Sequence, residues 1–144
     1  MSIADVMSTR LVQVAPEATA LDAVLRMADA GVGSVAVCDG SRLVGIFTER
    51  DVLHLARETA ALDRVRVGDV MTSPVITVSA DADLVSAARL MGERRIRHLP
   101  VVEGENLLGM IGIRDVLAAL AERLWRSRDE DVHETVHELL ARRR

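Results

Sequence analysis

Tyrosine is absent from the 144 residues, and Phe47, Trp125 and Cys38 are each the only one of their kind. A single cysteine rules out a disulfide within the chain. Its apolar setting in Ser34-Val-Ala-Val-Cys38 predicts a small buried hydrophobe rather than a nucleophile. With so few aromatic residues the core must be built from Val, Leu, Ile, Ala and Met, and no stacking platform exists for single-stranded nucleic acid. Eighteen basic residues against 22 acidic ones leave a net charge of −4, the opposite of a duplex-DNA footprint, so no nucleic-acid partner is expected. There is no apolar run of membrane-spanning length, and the start, Met1 to Ser8, has no basic region leading into an apolar stretch. A cytoplasmic protein without a membrane partner is expected. The sequence also lacks a nucleophile elbow, a phosphate-binding glycine loop and a metal triad, so an enzyme is not expected.

What the sequence does contain is itself, twice. An offset of 64 aligns residues 5–53 with 69–117 without a gap, and fifteen of the 49 paired positions are identical. They include Asp5-Val-Met7 with Asp69-Val-Met71, Gly40 with Gly104, Gly45 with Gly109, and Arg50-Asp-Val-Leu53 with Arg114-Asp-Val-Leu117. A unit of about 60 residues buries too little surface to stand comfortably alone, so the copies are expected to interlock. The chain divides into copy one (1–60), an ordered crossover (61–67), copy two (68–124) and a charged tail (125–144).

Each copy reads as strand, helix, strand, strand, helix. In copy one the β-branched run Leu11 to Val14 ends at Pro16, and Leu21, Val24, Leu25 and Ala28 then recur at helical steps until Gly31-Val-Gly33. Val35–Cys38 and Leu43–Phe47 are strands joined through Asp39-Gly40, a hairpin-type connection. The closing helix starts near Thr48. Copy two repeats the order with Val75–Val78, a helix through Leu84 and Met91, Leu99–Val102, Leu107–Ile111 and a helix from Ile113. The tail has no counterpart in copy one and predicts an added helix. Val132, Val136, Leu139 and Leu140 form its narrow apolar stripe, suited to a partner surface or to the body of the protein.

This duplicated pattern, with Asp5-Val-Met-Ser, Gly45-Ile-Phe-Thr-Glu-Arg-Asp51 and Arg95-Ile-Arg-His-Leu-Pro-Val101 in order, resembles the cystathionine β-synthase (CBS) domain pair, or Bateman module, over residues 4 to about 122. The resemblance implies an α+β fold in which tandem β-α-β-β-α motifs pack through their sheets about a pseudo-twofold axis. It also implies a regulatory, non-catalytic module that takes AMP, ADP or ATP and acts on a partner protein. A homodimer is the default expectation, with Asp51–Leu55 and Val116–Leu120 as pairing helices. The alternatives are a dimerisation scaffold with a vestigial ligand site, or a binder of another adenosyl ligand such as S-adenosylmethionine or NAD(H).

Thr48-Glu-Arg-Asp51 has the spacing of a capping box, in which the threonine hydroxyl and the acid three residues later satisfy backbone amides at a helix start. Copy two keeps the acid, Asp115, although Gly112 has no hydroxyl to complete the box. An acid without a capping partner points to an outside donor or to the helix dipole. The resemblance assigns the ribose hydroxyls to Asp51 and Asp115, groups Arg97 and His98 with Thr48 and Asp51 around phosphate, and leaves Ser34 and Gly112 in a cleft with little charge. Val12 and Ile76 are expected at the adenine, although each reads equally well as core. His133 and His137 share a helical face without a third ligand nearby, so no metal site is expected.

Overall fold

The computed structural model describes residues 1–126 and 130–142, with side chains omitted for 130–132. The elements are β1 (Gln13–Val14), α1 (Ala20–Ala30), β2 (Ser34–Asp39), β3 (Arg42–Thr48), α2 (Glu49–Ala56), α3 (Val67–Val70), β4 (Val78–Ser79), α4 (Leu84–Arg94), β5 (His98–Glu103), β6 (Asn106–Gly112), α5 (Ile113–Arg126) and α6 (Glu130–Ala141). Both copies therefore follow the β-α-β-β-α order, and the added C-terminal helix is present. The first strand of each copy is shorter than its β-branched run: of Leu11–Val14 only Gln13 and Val14 join the ladder, and of Val75–Val78 only Val78 does, with Ser79. A short parallel strand needs only the few bonds that its neighbour offers.

The chain forms two compact units, and they do not coincide with the two copies. The first unit is Arg10–Ile76 with Gly104–Leu107; the second is Met1–Thr9, Thr77–Glu103 and Leu108–Arg144. Each copy has handed its leading segment to the other copy's unit.

In the first unit β1 runs parallel to β2 (Val14 opposite Val37) and β2 antiparallel to β3 (Ser34 opposite Thr48, Asp39 opposite Arg42). Gly40 makes the hairpin turn with φ of 63°, a left-handed conformation that glycine adopts without a Cβ penalty. Ala20, Ala23 and Met27 of α1, Leu55 of α2 and Val67 pack with Val35, Val37 and Phe47 of the sheet into one buried core. Cys38 is buried, as its apolar setting predicts, and burial pushes its thiol above the usual range. The tip of the second hairpin also belongs here: Leu43 N donates to Glu105 O at 3.0 Å, Leu107 N to Ser41 O at 3.1 Å and Ser41 Oγ to Asn106 Oδ1 at 3.1 Å.

The second unit holds β4 parallel to β5 (Val78 opposite Val101), with β6 beside β5. Leu84, Ala87, Ala88 and Met91 of α4, Leu99 and Val101 of β5, Ile111 of β6, and Val116 and Leu120 of α5 are buried. Helix α6 packs on α4 and α5, with Leu139 buried and Thr135 fully so. Of its expected stripe, Val136 is half-buried, Leu140 is exposed, and the side chain of Val132 lies outside the described residues. The tail thus docks on the body of the protein.

The exchange of leading segments obeys the 64-residue offset bond by bond. Ile3 N donates to Ala82 O (3.1 Å) as Val67 N does to Ala18 O (2.8 Å); Ala4 N to Ala80 O (3.0 Å) as Gly68 N to Pro16 O (2.9 Å). Ser8 and Met110 exchange two backbone bonds (2.9 and 3.0 Å), as Thr72 and Ile46 do (2.8 and 3.1 Å). Side chains then lock the segments. The Met7 sulfur lies against Gly109 and the Met71 sulfur against Gly45, where a Cβ on either glycine would overlap its methionine. The shared Asp-Val-Met and the shared strand glycine are two halves of one contact.

Candidate functional site

The strand-to-helix junction ending β3 is built on Thr48, the N-cap of α2. Its amide donates to Asp51 Oδ2 at 2.9 Å, and the Asp51 amide donates back to Thr48 Oγ1 at 3.4 Å, so the capping box expected from the sequence forms. The Thr48 hydroxyl also reaches Asp51 Oδ2 at 3.2 Å. A further donor comes from the exchanged segment: Thr72 Oγ1 lies 3.1 Å from Asp51 Oδ1 and 3.3 Å from Oδ2. Sequence reasoning missed Thr72. Its signal was the hydroxyl residue that follows Asp-Val-Met in both copies, Ser8 and Thr72, and it acquires meaning only once the segments have crossed.

Ser34, the first residue of β2 and buried, stands opposite Thr48, and Glu49 N donates to Gly33 O at 3.0 Å. Ser34, Thr48, Asp51 and Thr72 therefore meet at one junction of the first unit. Asp51 is half-buried, positioned by its own cap and still open on one side. Val12 is half-buried, packs on the core and accepts from Ala36 N at 3.1 Å through its carbonyl, so it stands beside β2. Ile76 is half-buried where the first unit ends.

The second unit repeats the junction with different chemistry. Ile113 N donates to Arg97 O at 2.8 Å, the counterpart of the Glu49–Gly33 bond. A Cβ placed on Gly112 would lie 3.6 Å from Asp115 Oδ2 and 4.0 Å from His98 Cδ2, so Arg97, His98, Gly112 and Asp115 meet around the start of α5. Arg97 and Asp115 are exposed and His98 half-buried. Gly33-Ser34 in one unit and Arg97-His98 in the other thus occupy equivalent places beside an aspartate.

The arginine run before β5 departs from copy one in its backbone as well. Gly31 ends α1 in the left-handed region at φ of 66°, and its counterpart after α4 is Arg95, the one non-glycine residue at positive φ among those described, at 55°. A side chain in that region costs about 1 kcal/mol relative to glycine. Copy two places charge where the backbone favours glycine, which concentrates Arg94, Arg95, Arg97 and His98 at one strand start.

The two aspartates differ in what they do for the fold. Asp51→Ala removes a formed capping box and is expected to lower the stability of the ligand-free protein by about 1 kcal/mol. Asp115→Ala removes a helix-dipole contribution, about 0.3–1 kcal/mol at low ionic strength and less once salt screens it. Urea unfolding of the two variants in the absence of ligand checks this difference.

No helix among the described residues is long and apolar enough to cross a membrane. No group of three His, Cys, Asp or Glu side chains among them is placed to hold a metal ion, and His133 and His137 are exposed on α6.

A family profile described as "CBS domain" matches residues 3–58 and again 67–122. An uncharacterized 33.4 kDa protein from the ribosomal RNA operon of Thermofilum pendens is 43% identical over 93 residues, covering 64% of this chain and 30% of that protein. Two further curated relatives are covered over 61% and 52% of their lengths, so the chain spans less than two thirds of these relatives. Among solved structures, CBSX2 in complex with AMP is 31% identical with a TM-score of 0.74, over 84% of this chain and 96% of that one. The CBS domain protein PAE2072 of Pyrobaculum aerophilum, complexed with AMP, is 26% identical with a TM-score of 0.76, over 85% and 99%.

Proposed function

The chain belongs to the CBS-domain family, and we propose that it is a regulatory module that binds an adenine nucleotide, AMP, ADP or ATP, and passes its occupancy to a partner protein without chemistry of its own. The observation that carries this reading is the pair of aspartates held at equivalent strand-to-helix junctions, Asp51 with hydroxyls around it and Asp115 with Arg97 and His98 around it. A carboxylate fixed in position accepts from both hydroxyls of a ribose, the use that acidic residues serve in dinucleotide folds. Arg97 and His98 supply the charge-assisted donors that a phosphate needs, roughly twice as strong as neutral ones. Val12 and Ile76 supply apolar and backbone surface for the adenine. Relatives of this size and fold that hold AMP support the choice of ligand class. We read the module as a homodimer in a cytoplasmic setting.

A thermal-shift panel tests the proposal. AMP, ADP and ATP at 100 times their dissociation constants are expected to stabilise the protein by about 2.7 kcal/mol. Adenosine is expected to bind at least about tenfold more weakly than AMP, because it forgoes the charge-assisted bonds to Arg97 and His98. Stabilisation by S-adenosylmethionine or NAD(H) alone would move the ligand to another adenosyl class. No response to any of these at millimolar concentration would leave the dimerisation scaffold as the function.

A further inference from the structure

The two copies diverge most in charge where the first long helix gives way to the second strand. In copy one that stretch is Ala30-Gly31-Val32-Gly33-Ser34, with no ionisable side chain; in copy two it is Arg94-Arg95-Ile96-Arg97-His98. The dipole of the preceding helix does not demand these bases, since α1 ends with none in its last turn. The backbone does not favour them either, because Arg95 holds the left-handed conformation that glycine holds in copy one.

Helix α6, which copy one lacks, brings a further base to the same end of the second unit. The last turns of α4 and α6 meet there: a Cβ on Gly92 would lie 2.9 Å from Leu139 Cδ2 and 3.9 Å from Arg142 Cδ. Arg142 stands one turn beyond Glu138, the spacing of a helical ion pair, yet among the described residues the two do not pair. Its side chain lies against α4 instead. Arg95 follows Gly92 by three residues, so it comes to the same side of that helix. The bond from Ile113 N to Arg97 O then joins this end to the start of α5 and Asp115. Arg94, Arg95, Arg97 and Arg142 are all exposed.

We propose that this end of the second unit is a polyphosphate site, in which Arg95 and Arg142 hold phosphates beyond the first, so that the module prefers ATP to AMP. This rests on the nucleotide reading above and deepens it: Arg97 and His98 serve the phosphate next to the sugar, and the end of α6 extends the surface outward. Each added phosphate brings negative charge that Asp115, Glu93 and Glu138 repel, so it needs cations of its own. A guanidinium meets it with paired, charge-assisted donors. The first unit has no base at the equivalent positions.

Isothermal titration of AMP, ATP and inorganic tripolyphosphate into the full chain, without magnesium, tests this. Wild type is expected to bind ATP at least about tenfold more tightly than AMP, and tripolyphosphate is expected to compete with ATP. Arg142→Ser and Arg95→Gly are each expected to weaken ATP and tripolyphosphate at least about threefold, while AMP changes less than about twofold. Arg95→Gly returns the left-handed position to glycine and is expected to melt no lower than wild type, which separates lost affinity from lost folding. Arg126→Ser removes a charge about 20 Å along α5 from Ile113 and is expected to leave all three ligands unchanged. ATP bound no more tightly than AMP, AMP and ATP weakened alike by Arg142→Ser, or an equal effect of Arg126→Ser overturns the polyphosphate site and leaves the nucleotide reading standing. Tripolyphosphate held through Arg142 with neither nucleotide bound supports the site and overturns the adenine reading. No binding of any of the three overturns both.

Discussion

Gly109→Ala is expected to lower the stability of the protein by about 2–3 kcal/mol, while Gly45→Ala, the same change at the equivalent place, costs about 1 kcal/mol. The difference follows from what each new methyl meets. At Gly45 the nearest atoms it meets all belong to the Met71 side chain, a flexible thioether that can turn to another rotamer. At Gly109 it lies 2.6 Å from the Ser8 carbonyl oxygen, a backbone atom held by the paired bonds between Ser8 and Met110, with the Met7 sulfur at 3.0 Å as well. Relief there requires the exchanged segment itself to move. For a chain of this length the loss corresponds to a drop in Tm of roughly 5–10 °C for Gly109→Ala, against a few degrees for Gly45→Ala. Equal losses for the two variants would contradict the distinction between a fixed backbone neighbour at Gly109 and a flexible side chain at Gly45.

The second large effect concerns the ligand. Asp51→Ala is expected to weaken AMP binding about 100-fold, since two hydrogen bonds from ribose hydroxyls to a carboxylate contribute roughly 1.5 kcal/mol or more each. The loss of the capping box contributes to folding rather than to binding, and Asp51→Asn separates the two. The amide oxygen of asparagine still accepts from the Thr48 amide, so the cap is largely kept. The charge and the second acceptor are gone, so AMP affinity is still expected to fall at least about tenfold. Thr48→Ala gives the converse: it removes the capping hydroxyl, leaves the carboxylate in place, and should reduce stability more than affinity.

Much of this was legible in the sequence because it depends on neighbours along the chain. Asp39-Gly40 and Glu103-Gly104 announce the hairpins, and both glycines take the left-handed conformation. Thr48 and Asp51 announce a capping box by their spacing, and the periodicities of α1 and α4 place their buried faces. The constant offset predicts two like units, and the structure repeats its backbone bonds at that same offset. What was not legible depends on contacts between distant segments. Nothing local in Asp5-Val-Met-Ser says that it folds onto β6 rather than β3, so Thr72 went unnoticed as a donor to Asp51. For the same reason the sequence could not choose between a partner and the body of the protein for α6. The packing of α6 on α4 and α5, with Leu139 buried against Gly92, makes that choice. The extents of β1 and β4 were also overestimated, because β-branched runs report propensity whereas ladder length is set by what the adjacent strand presents.

The first unit sets hydroxyls around Asp51, while the second sets Arg97 and His98 beside Asp115. The two aspartates therefore carry different weights in the proposal, and substituting them one at a time reads those weights out. Isothermal titration of AMP into wild type, Asp51→Asn and Asp115→Ala tests the central claim most directly. The account predicts binding by wild type, a loss of at least about tenfold in Asp51→Asn, and a smaller loss in Asp115→Ala. Unchanged affinity in Asp51→Asn, with or without a loss in Asp115→Ala, would contradict it.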